Sequence, residues 1–272
     1  MAGPSRAHLI TGGFPPGAPA GHDHDFARLR LLEMLAEEQV PASVGNDFND
    51  VDRWLPISKL LITYVAGPVL NDQQNAFVRE WIEQGGKWVG LHGTSGGKAV
   101  RVGEDGRRRA MLKMGHHDTL GGFFLNHPPV RKFQVDVANG EHRLNRDIDA
   151  SFEVIDEPYM IEVVHPEDSK ILLTAELGPD TSPPGFGFVY EKDTALMADG
   201  KTRAIAFQRD VGLGGVTYTA LGHCHSPSSN SQPFVDTSVD PEGKTPKTLR
   251  VTWEAPSFQR FLRNAIAWGM GG

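Results

Sequence analysis

The stretch that most constrains the fold lies between residues 59 and 91. Lys59-Leu60-Leu61-Ile62-Thr63-Tyr64-Val65 is apolar almost throughout, as a strand buried on both faces of a parallel sheet requires. Asn71 follows with Gln74 three residues on, a spacing that lets each side chain satisfy a backbone N–H at a helix start. Phe77, Val78, Trp81 and Ile82 make the buried stripe of that helix, and Gly85-Gly86 stops it. The next strand, residues 87–91, runs directly into His92. Upstream, residues 7–11 read as a strand ending in Gly12-Gly13, followed by a Pro- and Gly-rich loop from Phe14 to Gly21. A helix then carries Phe26, Leu29, Leu32 and Leu35, with Asp23 or Asp25 as its cap. The resulting β-α-β-α-β order with short connections predicts a right-handed, doubly wound α/β sheet.

Beyond this core, strands are expected at residues 130–137, 152–155, 170–174, 203–208 and 215–221, with a hairpin turned by Gly212 and Gly214. A closing helix bears Phe258, Phe261, Leu262, Ala265 and Ile266. Residues 98–118 read as an irregular insertion, and residues 226–247, rich in Ser, Pro, Asp and Gly, as a long loop, lid or subunit contact. No repeat and no linker divides the chain, so residues 1–272 are read as one domain with those two loop insertions.

Charge and composition remove several classes of function. A formal charge of −7 opposes a nucleic-acid or anionic-membrane partner, and Arg107-Arg108-Arg109 reads as a solvated loop. The single cysteine, Cys224, rules out an intramolecular disulfide and a cysteine zinc site; a small buried hydrophobe is its expected role. No signal-peptide pattern and no run of about 18–20 apolar residues occurs, so the expected compartment is the cytoplasm. Gly12-Gly13 is not followed by Gly-x-Gly-x-x-Gly, and no Gly-Lys-Ser/Thr occurs, so no nucleotide is expected.

In open α/β sheets ligands bind beyond the carboxyl ends of the strands. Four predicted strand exits deliver a histidine or a carboxylate: His22 and His24 after the first strand's loop, His92, Asp156-Glu157, and His223-Cys224-His225. His92, between Gly90 and Gly93-Thr94, is presented at a tight turn and suits a general base or a metal ligand. The alternative is a histidine bonded to a backbone carbonyl. His22/His24 and His223/His225 are both His-x-His pairs, and on an extended segment either pair could ligate one ion. Asp156 and Glu157 read as ligands, a base or a loop cap. Tyr159 reads as a proton donor, a substrate contact or core. His127 and His116-His117 are weaker candidates, His127 following Gly121-Gly122-Phe123-Phe124-Leu125-Asn126, a glycine-aromatic segment that reads as a loop flooring the pocket; His8, His142 and His165 read as ordinary surface or core residues.

These pieces, in order, resemble the ThuA-like (trehalose-utilisation) family. The residues that carry the likeness are Thr11-Gly12-Gly13, His24-Asp25, Gly90-Leu91-His92-Gly93, Gly121 to Pro128, Asp156-Glu157-Pro158-Tyr159, Leu221-Gly222-His223 and a last helix reaching Trp268. The resemblance implies a three-layer α/β/α sandwich with a mostly parallel sheet, flavodoxin-like and similar to class I glutamine amidotransferases. Those enzymes place a cysteine where His92 stands, so thiol-dependent glutaminase chemistry is not expected. The family is associated with sugar catabolism on keto-sugars or glycosides. The resulting expectation is an enzyme with His92, Glu157, His223 and Tyr159 as catalytic groups. His22, His24, Gly93, Thr94 and His127 would contact a carbohydrate-like small molecule. His24, His92, Glu157 and His223 form the candidate set for zinc or another first-row divalent ion. Isomerisation, elimination and hydrolysis all remain open. Two alternatives stand beside it: a non-catalytic sugar- or metabolite-binding protein of the same fold, and a homodimer module using residues 226–247 and the last helix.

Overall fold

The computed structural model describes residues 6–272 apart from 14, 16 and 105. The predicted loop from Phe14 to Gly21 therefore lies partly outside the described residues. The chain begins with β1 (Ala7–Gly13), α1 (His24–Glu37), β2 (Ala42–Gly45), the short α2 (Val51–Trp54), β3 (Leu60–Ala66), α3 (Asp72–Glu83) and β4 (Lys87–Leu91). Asp23 caps α1 by accepting from the Phe26 N–H, and the reciprocal Asn71–Gln74 capping box opens α3 as its sequence requires. The buried side of α1 is Ala27, Leu31, Met34 and Leu35, while Leu29 is exposed. The expected stripe at Phe26, Leu29, Leu32 and Leu35 is thus corrected. A spacing of three drifts around a helix of 3.6 residues per turn, whereas 27, 31, 34 and 35 stay on one face.

Residues 98–118 are regular rather than irregular. They form the hairpin β5 (Lys98–Val102) and β6 (Arg108–Leu112), then most of α4 (Gly115–Leu120). The glycine-aromatic segment read as a loop is β7 (Gly122–Asn126). Next come β8 (Arg131–Val137), β9 (Ser151–Asp156), β10 (Met160–Val163), β11 (Ser169–Glu176), β12 (Thr202–Val211) and β13 (Gly214–Thr219). Residues 226–247 hold neither helix nor strand, and α5 (Val251–Glu254) leads into α6 (Pro256–Met270).

The main sheet has the strand order β2-β1-β3-β4-β13-β12-β11-β8-β9. Pairing is parallel from β2 to β13 and antiparallel from β13 to β9. The expectation of a mostly parallel sheet is corrected: the sheet is mixed. In its antiparallel half β12–β13 is a tight hairpin turned at Gly212, and β8–β9 and β11–β12 are consecutive strands joined by longer loops, whereas parallel neighbours need a crossover. Alternate residues of β1 and β3 face opposite ways. Leu9, Leu60 and Ile62 join α1 and α6 in one core, while Ile10, Leu61 and Val65 join α2 and α3 in another. Each fully buried side chain of this kind contributes about 1.5–3 kcal/mol. No helix among the described residues is long and apolar enough to cross a membrane.

One irregularity of the sheet positions the site. β8 meets β11 only at Val137 and Asp136, at the far end from Arg131, while β8 pairs with β9 along its length, Arg131 facing Asp156. The end of this pair that is free of β11 lies beside the chain leaving β13. There Asp156 accepts hydrogen bonds from the backbone N–H groups of Gly222 at 2.8 Å and His223 at 2.9 Å. A strand at the sheet's edge thereby delivers its last residues beside its centre.

Candidate functional site

His92 leaves β4 with φ +46°, a left-handed conformation that costs a side-chain-bearing residue energy and clusters at functional sites. Gly93 is required beside it, because a Cβ there would stand 2.4 Å from the Val65 carbonyl oxygen. The imidazole lies between Tyr159, with centroids 4.0 Å apart, and Tyr64, at 6.1 Å. Its Nδ1 is 2.7 Å from the Ala220 carbonyl, so that nitrogen must carry the proton. Nε2 is then a bare lone pair, 3.1 Å from Glu157 Oε2.

The same logic fixes two more rings. His22 Nδ1 donates to the Ala20 carbonyl at 2.9 Å, leaving Nε2 free at 3.7 Å from Glu157 Oε2. His225 Nε2 donates to the Pro246 carbonyl at 2.8 Å; its neutral Nδ1 accepts from His223 Nε2 at 3.0 Å. That relay leaves His223 Nδ1 free, 3.3 Å from Glu157 Oε2. His22 Nε2 and His223 Nδ1 are both buried without a hydrogen-bond partner. Three lone pairs therefore converge on one carboxylate oxygen, with one ligand atom from each of His22, His92, Glu157 and His223 lying within 4.8 Å of the others.

Burial lowers the pKa of His92 and of His223, which keeps both rings neutral. Burial alone would raise Glu157; positive charge on His127, His223 and His22 outweighs it and lowers the carboxyl well below its ordinary value, and with the rings neutral that positive charge would have to come from a bound cation. Neutral imidazoles around an ionised carboxylate are the protonation states a metal site needs. The spacing fits as well. Bonds of about 2.0–2.1 Å in a tetrahedron place ligand atoms about 3.4 Å apart, and the three distances to Glu157 Oε2 bracket that value. Each ring's remaining nitrogen is held by a carbonyl or a second imidazole, the usual outer support of a metal-binding histidine.

The other candidate residues take definite places. His24 is not in this set: α1 begins at it, so the segment after Asp23 turns helically instead of staying extended. Its ring lies tilted against His22 and edge-on to Tyr64, and burial lowers its pKa to about 3. Neither His-x-His pair presents both members to one ion; each supplies one, with His225 behind His223. Asp156 is a scaffold group, accepting from the N–H of Glu157, Gly222 and His223, and burial raises its pKa to about 6. Thr94 donates to Thr63 O at 2.9 Å and so braces β3. Antiparallel β7 and β10 bring His127 and Tyr159 side by side, with centroids 5.5 Å apart. His127 Nδ1 is committed to Pro128 O, and its Nε2 lies 3.7 Å from Glu157 Oε1. Cys224 is buried, and burial pushes its thiol up to about 12, as a structural cysteine. Two site residues escaped the sequence reading. Gln232, in the long 226–247 segment, donates its amide to Glu157 Oε1, and its own Oε1 is buried without a partner. Tyr64 packs on His22, His24 and His92 and donates to Gly222 O.

Residues 20–237 match the family model described as ThuA, trehalose utilisation. The chain belongs to the ThuA family. A putative ThuA-like protein from Bacteroides uniformis ATCC 8492 shares 17% identity at a TM-score of 0.62, covering 99% of this chain and 93% of the other. One from Parabacteroides merdae ATCC 43184 shares 16% at 0.60, covering 99% and 91%. A glutamine amidotransferase from Thermotoga maritima shares 9% at 0.51, covering 98% and 99%, which places the ThuA chain in the same general fold. No curated protein matches the sequence. Membership of ThuA gives the chain a carbohydrate-related setting, and His22, His92, Glu157 and His223 all fall inside the matched span.

Proposed function

We propose that this protein is an enzyme of keto-sugar or glycoside catabolism whose centre holds a divalent first-row metal ion. The observation that carries the reading is the convergence of three uncommitted imidazole nitrogens on Glu157 Oε2. Leaving a buried polar atom unsatisfied costs about 1–3 kcal/mol, so several beside a buried anion are expensive unless a cation completes them. His22, His92, His223 and Glu157 would hold the ion, a nitrogen-rich set that suits zinc or a neighbour.

Such an ion polarises a sugar carbonyl or hydroxyl oxygen and lowers the cost of removing an adjacent proton. The chain's own groups supply the rest. His127 is the least buried imidazole at the site, its side chain 14% exposed. With Nδ1 tied to Pro128 O, its Nε2 is oriented to take a proton from substrate or return one. Tyr159 keeps its proton, since burial and then Glu157 raise it well above its ordinary value, and it serves as a donor and as a flat wall against His92. Gln232 fixes Glu157 Oε1, leaving Oε2 to face the rings. Enolisation of a keto-sugar leads either to isomerisation, by reprotonation at the neighbouring carbon, or to β-elimination of a glycosidic oxygen that leaves with a proton. Addition of water to the eliminated product then completes a net hydrolysis, and the same groups would move the protons in each case.

The test is turnover of oxidised and unoxidised disaccharides before and after exhaustive chelation. Loss of activity on chelation and recovery with one equivalent of zinc, manganese or cobalt is expected. Full activity in metal-free protein would refute the metal reading.

A further inference from the structure

We infer that the cleft beside His127 is the binding site for a second, uncharged sugar ring of the substrate. The inference rests on the carbohydrate reading of the neighbouring centre. The cleft has a volume of about 460 Å³ and is lined by Pro128, Arg131, Thr181, Pro183, Phe234 and Asp236, among others. That is within the range of small-molecule pockets. Two of its walls are continuous with the histidine centre. Pro128 directly follows His127, whose Nε2 lies 3.7 Å from Glu157 Oε1. Phe234 stands two residues after Gln232, which donates to the same carboxylate oxygen. An aromatic path joins them as well: His127 packs on Phe186 at 5.7 Å, and Phe186 on Phe234 at 5.4 Å.

The lining has the two-sided character of a pyranose. Phe234, 37% exposed, and the three prolines Pro128, Pro129 and Pro183 offer apolar surface to the C–H face of a ring. Arg131, Thr181 and Asp236 offer donors and acceptors to hydroxyl groups. One cation and one carboxylate leave the cleft nearly neutral, which favours an uncharged polyol over a phosphate or sugar acid.

The experiment is titration calorimetry of the full chain with trehalose and with glucose, repeated on Phe234→Ala, Phe234→Tyr and Arg131→Ala, with bound metal measured in each. The expected result is trehalose binding at least tenfold tighter than glucose in the unsubstituted protein. Phe234→Ala and Arg131→Ala should bring trehalose down to the glucose level, and Phe234→Tyr should restore the preference. Glucose affinity and metal content should not move. Equal affinities for the two sugars, no measurable trehalose binding, or a preference untouched by both alanine variants would overturn the inference. A Phe234-dependent preference in a protein that binds no metal would leave the cleft standing and remove the metal reading. Metal-dependent sugar binding with no such preference would do the reverse.

Discussion

Two groups of buried histidines occupy this molecule, and they are put to different uses. His116 and His117 on α4 are 2% and 0% exposed, as hidden as His92 and His223. Three of their four nitrogens serve the backbone, and the fourth, His116 Nδ1, is buried without a partner and faces no carboxylate among the described residues. His117 Nδ1 accepts from the Met114 N–H, its Nε2 lies 3.1 Å from the carbonyls of Ser95 and Gly96, and His116 Nε2 lies 3.1 Å from Gly96 O. Among the described residues no carboxylate forms an ion pair with either ring. At the His22, His92 and His223 centre only the outer nitrogens are spent in this way, and the inner ones meet at Glu157. Burial alone therefore does not mark a site. What marks it is where the uncommitted lone pairs point.

The contrast is broken most severely at the shared carboxylate. Glu157→Ala should abolish stoichiometric binding of a divalent ion, whereas His116→Gln should leave it intact, as read by metal analysis after dialysis. Equal retention in both would mean that the two regions do not differ. The next effect belongs to the outer support. His225→Ala removes the acceptor that fixes the His223 tautomer and should weaken metal affinity by about 10–100-fold, measured by competition with a chromogenic chelator.

Acid sharpens the comparison from the structural side. Burial lowers His116 to about 3 and His8 to about 4. In the unfolded chain both titrate near their ordinary value, so between about pH 6.5 and those lower values the unfolded state binds more protons. Stability is then fully present above pH 6.5 and is lost as the pH falls, by about 1.4 kcal/mol per pH unit for each such ring. Denaturant titrations of metal-free protein at pH 6 and pH 5 should show this slope, reduced by nearly one proton in His116→Gln. An unchanged slope would mean that His116 is not buried in its neutral form. The smallest effect expected is at Thr94. Thr94→Val removes the bond to Thr63 O and should cost about 1 kcal/mol of stability, with no change in metal affinity.

Much of this centre was legible in the sequence, because strand exits bring distant residues to one edge of a sheet. His92, Glu157 and His223 follow from that rule alone. The choice of His22 over His24 does not, since it depends on α1 starting at His24. The mixed sheet was hidden for a related reason: an apolar run such as residues 203–208 specifies a buried strand but not its direction. β7 was masked by Gly121-Gly122, which punctuates the chain like a loop although the next residues pair with β10. Gln232 carries no local signal, sitting among Ser and Pro, and only the folded path of residues 226–247 brings it to Glu157. His116-His117 gave the same local signal as the other paired histidines and proved structural. Spacing shows which nitrogens exist, and only the surrounding carbonyls show which remain free.

The most direct test is anomalous diffraction at the absorption edge of zinc, on crystals grown with one equivalent of the ion. The account predicts a single peak bonded at about 2.0–2.2 Å to His22 Nε2, His92 Nε2, His223 Nδ1 and Glu157 Oε2. A peak centred on His24, on the half-buried His165 with the exposed Glu167 and Asp168, or nowhere in the protein would contradict it.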